Sequence, residues 1–342
     1  MKNSFCNISD LKTCTQLLDD YKCKKHKESK PEGELLCFDL DKERLSCLDA
    51  YSLKKEVTIY NPTKPILHYG KRYLLGRVEM IDSENSNILF FIEDKGVWKS
   101  VKNSPVFDLQ DPFYIKNIQG HVVLGGVRVY DAGGGELGYE TVFYKYVEHA
   151  SELINDGDGT LVKPFAVSPK KMKDIRLIEL KNGNIGVFTR PQGGEAGLGK
   201  IAYIEIASLD ELERSIPKAR IIENQFYEDE WGGANELHLL KNGQIGVLGH
   251  IAHYNGNVRY YYAMSFVFDP IDHIASEMEI LTTADEFPKV KSKKSELGKI
   301  IFSGGLDRKR DGTASLYVGI GDTNAGRIQI PDPFLKYEFA NN

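Results

Sequence analysis

The chain has 342 residues, 41% of them hydrophobic and 27% charged, and a net charge of −5. That balance fits a globular protein long enough for one large domain or two smaller ones, and it argues against a general nucleic-acid binder, which carries a basic face and a high pI. No apolar run approaches the roughly 20 residues of a membrane span, and the opening "MKNSFCNISDLKTC" lacks the apolar core of a secretory signal, so a cytoplasmic protein with no membrane or nucleic-acid partner is expected.

All five cysteines (Cys6, Cys14, Cys23, Cys37 and Cys47) fall in the first 47 residues. An odd count without an export signal reads as reduced thiols. Cys23 and His26 would make half a zinc site, but no second pair follows, and no metal site is expected. Residues 9–28 place Leu11, Cys14, Leu17, Leu18 and Tyr21 on one helical face. Ser9 or Asp10 can cap that helix, and its last turn is basic, as the helix dipole favours. "ELLCFDL" (34–40) reads as a strand that closes the last unit of the fold.

From there the chain repeats. "KNGNIGVFTR" (181–190) returns as "KNGQIGVLGH" (241–250), and Asn-Gly between alternating apolar residues is a hairpin signal, because both turn residues favour positive φ. Gly70, Gly120 and Gly312 punctuate similar strand pairs, so five tips recur about every 60 residues. Aromatic strands such as "ETVFYKYVE", "KIAYIEIAS" and "RYYYAMSFVFD" follow three of them. Short strands at this period predict an all-β, five-bladed β-propeller over 51–342, with the helix and closing strand of 1–50 packed on it.

Folding each hairpin about its tip sets Asp111 opposite Arg128, Asp174 to Arg176 opposite Arg190, and Asn235 with Glu236 opposite His250. Arg77 and Glu79 end the equivalent strand of the first unit, and Asp322 and Thr323 that of the last. Blades of one orientation bring these sets to one rim of a central channel, although part of the set would only pair with itself. Carboxylates and amides suit sugar hydroxyls, and Tyr227 or Trp231 could stack on a sugar ring or serve the core. Two carboxylates among Asp111, Glu79, Glu236 and Asp322 would make a glycosidase pair. The cations Arg128, Arg176, Arg190 and His250 fit a hydrolase less well. Arginine holds phosphate through its planar fork, and with phosphate as nucleophile a single acid suffices. The pattern leans to phosphorolysis, with inorganic phosphate as co-substrate and no cofactor. "GGEAGLGKI" (193–201) approximates a P-loop but has Ile201 at the Mg²⁺-ligand position and leads into a strand, which excludes that reading. "KVKSKKSELGK" (289–299) reads as a solvated loop.

Five blocks in order, "YNPTKPILHYGKRYLLGRVE", "DPFYI…LGGVRV", "KDIRLIELKNGNIGVFTRPQG", "NELHLLKNGQIGVLGHIAHY" and "IFSGGLDRKRDGTASLYVGIGD", resemble glycosyltransferase family 108 over residues 55–335. This is a former domain of unknown function, now the mannosyltransferase/phosphorylases of β-1,2-mannan, and it is similar to the family-130 β-mannoside phosphorylases. The resemblance implies a five-bladed propeller and a reversible, inverting exchange of mannosyl between an oligomannoside and phosphate. Mannose 1-phosphate is then product or donor, and GDP-mannose is a further donor in some members. It also implies that Asp111, in Asp111-Pro112, is the general acid, that Arg128 holds phosphate, and that Arg190 is a second cation there. The motif departs from the family-130 Glu-Asp-Pro-Arg at Gln110 and Phe113. Lys173, Asp174, Glu236 and Asp322 have no counterpart in it and rest on hairpin geometry. A two-carboxylate glycosidase and a non-catalytic carbohydrate-binding propeller stay open as alternatives, and the oligomeric state is not read from the sequence.

Overall fold

The structure is a computed structural model that describes residues 11–25, 33–46, 55–147 and 163–339. It is mostly β, in four sheets that resolve into five antiparallel units. Unit one runs from Val57–Tyr60 and Ile66–His68, both paired with Lys71–Met80, through Ser86–Asp94 to Val97–Ser100. Unit two is Gln110–Ile118, His121–Gly133, Glu136–Val147 and Ala166–Val167, and unit three is Arg176–Glu179, Ile185–Thr189, Ala202–Ile206 and Arg220–Ile221. Unit four carries the long hairpin Ile245–Asn255 and Val258–Asp269 beside Glu230–Leu239, and unit five is Lys299–Arg308, Thr313–Ile320 and Asn324–Pro331. Units four and five merge into one sheet only through a short parallel contact of Tyr260 and Tyr261 with Lys299 and Ile300.

Buried apolar clusters sit between successive units: Leu75 and Ile88 with Leu124, Phe113 with Leu177 and Val187, Phe188 with Phe268, and Leu248 with Leu316. Unit five then meets unit one, where a Cβ at Gly304 would fall 1.8 Å from the Pro62 carbonyl oxygen.

The helix spans Cys14–Lys25 and buries Cys14, Leu17 and Tyr21, with Lys22, Lys24 and Lys25 in its last turn. Its N-terminus is satisfied from a distance: the Cys14 N–H donates to Glu230 Oε1 at 2.5 Å. Ser9, Asp10 and His26 lie outside the described residues. Segment 34–40 makes two strands that serve different units. Glu34–Leu35 pairs antiparallel with Asn324–Pro331, and Cys37–Asp39 pairs parallel with Val97–Ser100.

The Asn-Gly tips differ from the two-residue turn that their sequence predicts. Gly183 and Gly243 have positive φ, but Asn182 and Asn242 do not. Leu180 pairs with Asn184 and Leu240 with Gln244, enclosing three-residue loops. In each loop the Asn side chain accepts the N–H two residues on. A type I turn closed by a left-handed glycine is the next common hairpin solution, and Lys309 to Thr313 repeats it with Gly312.

Candidate active site

The inner strands of the units are not regular where they meet. Register shifts fall between Gln110 and Phe113, between Ala234 and Glu236, and between Ser303 and Gly305. A bulge adds one residue, bends the strand and re-aims the side chains beyond it. Asn61, Asp111, Asp174 and Asp322 all hold positive φ, from 47° to 57°. Such backbone costs on the order of 1 kcal/mol or more per residue and gathers at functional sites. All four line one cavity of about 260 Å³, together with Arg77, Lys173 and His250.

Asp111 is nearly buried. Its Oδ1 accepts from Asn61 Nδ2 at 2.7 Å and from Arg77 Nη1 at 3.1 Å. Burial opposes its charge, but Arg77, Lys173 and these hydrogen bonds outweigh it and hold the carboxyl below the usual range. Arg77 is held in turn by Glu79, two residues on along the strand and so on the same face, at 2.8 Å. Glu79 is fully buried and accepts also from Tyr60 at 2.6 Å and Lys293 at 2.8 Å. These partners overcome its burial and keep it ionised. Lys293 corrects the reading of 289–299 as a solvated loop. Its side chain is 6% exposed, and its ammonium also bonds Ser83 O and Glu84. The loop therefore straps unit five to unit one beside the cavity.

Arg190 reaches Asp174 at 3.2 Å, both buried, and its Nε lacks a hydrogen-bond partner among the described residues. Gly233 makes room for this pair, since a Cβ there would lie 2.7 Å from Asp174 Oδ2. Burial works against the Asp174 charge, but the neighbouring His250, Arg190, Lys173 and Arg176 together hold the carboxyl below its usual range. Lys173 itself lies over the Tyr139 ring, 5.7 Å from its centre. Asp322 behaves oppositely. Burial, with Asp111 and Glu79 nearby, pushes its carboxyl up despite Arg77.

His250 reaches the cavity as its sequence position predicts, but not as a cation, because burial takes its pKa down to about 3. Its Nδ1 lies 2.9 Å from the Asn235 amide, which also meets Ser303 Oγ at 3.0 Å, while Ser303 donates to Gly249 O at 2.7 Å. Ser303 has one proton, and the carbonyl takes it. Asn235 Oδ1 stands at this position and leaves its Nδ2 without a partner among the described residues. With the amide turned over, its nitrogen donates to Ser303 Oγ and His250 Nδ1 and leaves the ring proton on Nε2. His250 is thus a neutral donor.

Six expected site residues do not line this cavity: Glu79 and Arg190 stand behind it, paired with Arg77 and Asp174, while Arg128, Asn235, Glu236 and Arg176 lie elsewhere. Arg128 projects outward, 44% exposed, and pairs with Glu140. The bulge at Asn235 shifts the parity of its strand, so Glu236 turns to the opposite end of the inner strands. There it meets Lys64 at 2.6 Å and His238 at 3.1 Å. Burial works against its charge, but these partners bring its pKa down to about 2. Arg176 lines that second cavity too, of about 670 Å³, and donates to Asn235 O at 2.5 Å. The second cavity is larger, and its Lys64, Glu236 and Arg308 are held in ion pairs; the smaller one gathers the acidic residues with positive φ. Tyr227 sits apart and donates to Leu11 O, whereas Trp231 is buried and donates to Tyr261, which lines the smaller cavity.

The sequence reading missed Tyr60, Asn61, Tyr261 and Lys293. A signal for Asn61 was present: Asn61-Pro62 in unit one stands as Asp111-Pro112 does in unit two, with φ of 47° and 49°. Among the described residues no group of three His, Cys, Asp or Glu could hold a metal ion, and no helix is long and apolar enough to cross a membrane.

Two solved structures from Leishmania mexicana are similar over nearly the whole chain. One is MPT-4, a mannose phosphorylase in complex with phosphate ion, at 29% identity and TM-score 0.79, covering 95% of this chain and 94% of that one. The other is MPT-1, a GDP-Man-dependent mannosyltransferase, at 30% identity and TM-score 0.77, covering 94% and 95%. A β-1,2-mannobiose phosphorylase from Listeria innocua shares the fold at 14% identity and TM-score 0.57, over 83% of this chain and 92% of that one. Among curated proteins none matches. The chain belongs to the DUF1861 family, described as a protein of unknown function, whose model matches residues 50–336.

Proposed function

We propose that the protein is an enzyme that exchanges a mannosyl group between a β-1,2-oligomannoside and phosphate, with inversion. The observation that carries the reading is a well-held carboxylate, Asp111, in a small cavity with Lys173 and a neutral His250, backed by the buried Arg190–Asp174 pair. Whole-length similarity to a mannose phosphorylase and a GDP-Man-dependent mannosyltransferase supports it. We read the five units as blades of a propeller around this cavity, and residues 1–50 as a clasp on it.

In phosphorolysis a phosphate oxygen bonds to the anomeric carbon while the glycosidic C–O bond breaks. The departing oxygen takes a proton from Asp111, directly or through a sugar hydroxyl. Mannose 1-phosphate and a shortened chain result. In the free protein Asp111 is ionised, the form that accepts a proton from an incoming hydroxyl when the reaction runs toward synthesis. Phosphate bound by Lys173 and Arg190 cancels part of the Lys173 pull on Asp111 and raises it toward the protonated form that phosphorolysis needs. Arg190 replaces Arg128 as the main phosphate arginine, His250 Nε2–H adds a neutral hydrogen bond, and Asp174 fixes Arg190. Arg77 and Glu79 hold Asp111, while Asp322 and Asn61 are placed for sugar hydroxyls. Arg176 and Asn235 act through the channel wall, and Glu236 braces its far end. GDP-mannose is the alternative donor, as in MPT-1.

The raised carboxyl of Asp322 keeps one competitor alive, a hydrolase using Asp322 and Asp111 as its two carboxylates. One assay separates the two: β-1,2-oligomannosides with and without inorganic phosphate, reading mannose 1-phosphate and free mannose. We expect phosphate-dependent mannose 1-phosphate, reduced roughly 10²- to 10⁴-fold in Asp111→Asn, the range for losing a general acid. Free mannose released without phosphate, and lost in Asp322→Asn, would establish the hydrolase instead.

A further inference from the structure

The hairpin of unit four rises beyond the cavity, and its alternation builds a ladder on one face. Gly233, His250 and Ala263 are cross-strand partners, as are Trp231, Ala252 and Tyr261, and next come Tyr254 and Arg259. Side chains two residues apart share a face, so His250, Tyr261, Trp231 and Tyr254 form a path that starts inside the cavity and climbs outward. The contacts are continuous. His250 stacks on Tyr261 at 5.2 Å and 20°, Tyr261 meets Trp231 edge-on at 5.7 Å, and Trp231 lies 4.9 Å from Tyr254. Arg259 sits over the Tyr254 ring at 5.6 Å. Tyr254 ends the path half exposed, at 50%. Its ring has no place in any of the buried clusters, yet Trp231 and Arg259 fix its orientation.

We propose that the exposed face of Tyr254, backed by Trp231 and Arg259, is a subsite for a pyranose ring of the sugar chain whose reacting end occupies the channel cavity. The inference rests on reading that cavity as an oligomannoside site. Four residues of strand separate His250 from Tyr254, about 13 Å at 3.3 Å per residue, which is too far for one sugar ring to span. The subsite therefore senses chain length. An aromatic face offers a sugar's C–H surface a flat apolar partner. A nucleotide diphosphate fits less well here, because the acidic Glu296 and Asp322 line the same cavity as Arg259.

The test compares β-1,2-mannobiose with β-1,2-mannotetraose in phosphorolysis by the parent, Tyr254→Ala and Tyr254→Phe proteins. We expect the ratio of kcat/KM for mannotetraose to that for mannobiose to fall about 3- to 10-fold in Tyr254→Ala, the range an aromatic contact supplies, and to recover in Tyr254→Phe. An unchanged ratio overturns the subsite while leaving the proposed reaction standing. A second readout does not depend on turnover. The chain has two tryptophans, so Trp98→Phe leaves Trp231 as the sole indole, and its emission should change on titration with mannotetraose without phosphate. If no oligomannoside is turned over, the proposed reaction fails, and this titration alone decides: a saturable response keeps the subsite and silence removes it. A response to GDP without one to mannotetraose would also overturn it, in favour of a nucleotide.

Discussion

Burial takes the charge from His250, and this should show in stability. Its pKa falls from 6.5 to about 3 in the folded protein. Between those values the unfolded chain binds a proton that the folded one does not, so unfolding free energy falls as pH drops through this window. The slope for one such proton is at most about 1.4 kcal/mol per pH unit. Glu236 adds to it lower down, between 4.5 and about 2, where its depressed carboxyl must be protonated. Urea unfolding of the parent should weaken from pH 7 to 5, and His250→Gln should flatten that decline. Equal slopes would mean that His250 is protonated in the folded state. The residue's place was legible in the repeat, where His250 stands as Arg190 does, but its charge state was not. That depends on how many groups close over the ring, which no local pattern records. Lys293 makes the converse case: in a lysine-rich run it reads as solvated, and only the approach of unit one gives it Glu79 and buries it.

At the scale of elements, hairpin tips were legible because their chemistry is local. Gly183, Gly243 and Gly312 are needed for their left-handed φ, and the preceding Asn or Asp secures the loop. The bulges were not legible. One extra residue at Asn235 turns Glu236 from the cavity to the far end, and nothing in "GGANELHLL" marks the shift. The same holds for 34–40, whose few residues divide between two sheets. That division gives a second prediction. Glu34–Leu35 covers the edge of Asn324–Pro331, and Cys37–Asp39 that of Val97–Ser100, while Leu45 and Phe38 close the core beneath Trp98. A chain lacking residues 1–46 exposes both edges and this core. We expect a lower thermal midpoint and association through the open strands, read by thermal melting and size-exclusion chromatography. An unchanged midpoint and size would show that the segment is not a clasp.

For the molecule as a whole, the cavity joins all five units: Asn61 comes from unit one, Asp111 from two, His250 from four and Asp322 from the end of five, while Asp174 opens three. Each unit contributes little alone, and strained backbone at four of these positions is tolerated because neighbours on both sides fix it. A ligand bound here is bound only by the assembled fold, so binding must stabilise the whole. At a phosphate concentration about 100 times its dissociation constant, the gain is about 2.7 kcal/mol. For a chain of this length that is a rise of about 4 °C in the melting midpoint. The variants divide the roles. Arg190→Ala should lose most of the shift, because it removes the proposed phosphate partner and the ion-pair partner of Asp174. Asp111→Asn should keep the shift or enlarge it, since a negative charge beside the anion is gone, even where the proposed turnover falls. Arg128→Ala should melt with phosphate as the parent does, because its guanidinium faces outward to Glu140. If Arg128→Ala loses the shift instead and Arg190→Ala keeps it, phosphate sits on the outer side of unit two, and the central cavity holds sugar alone.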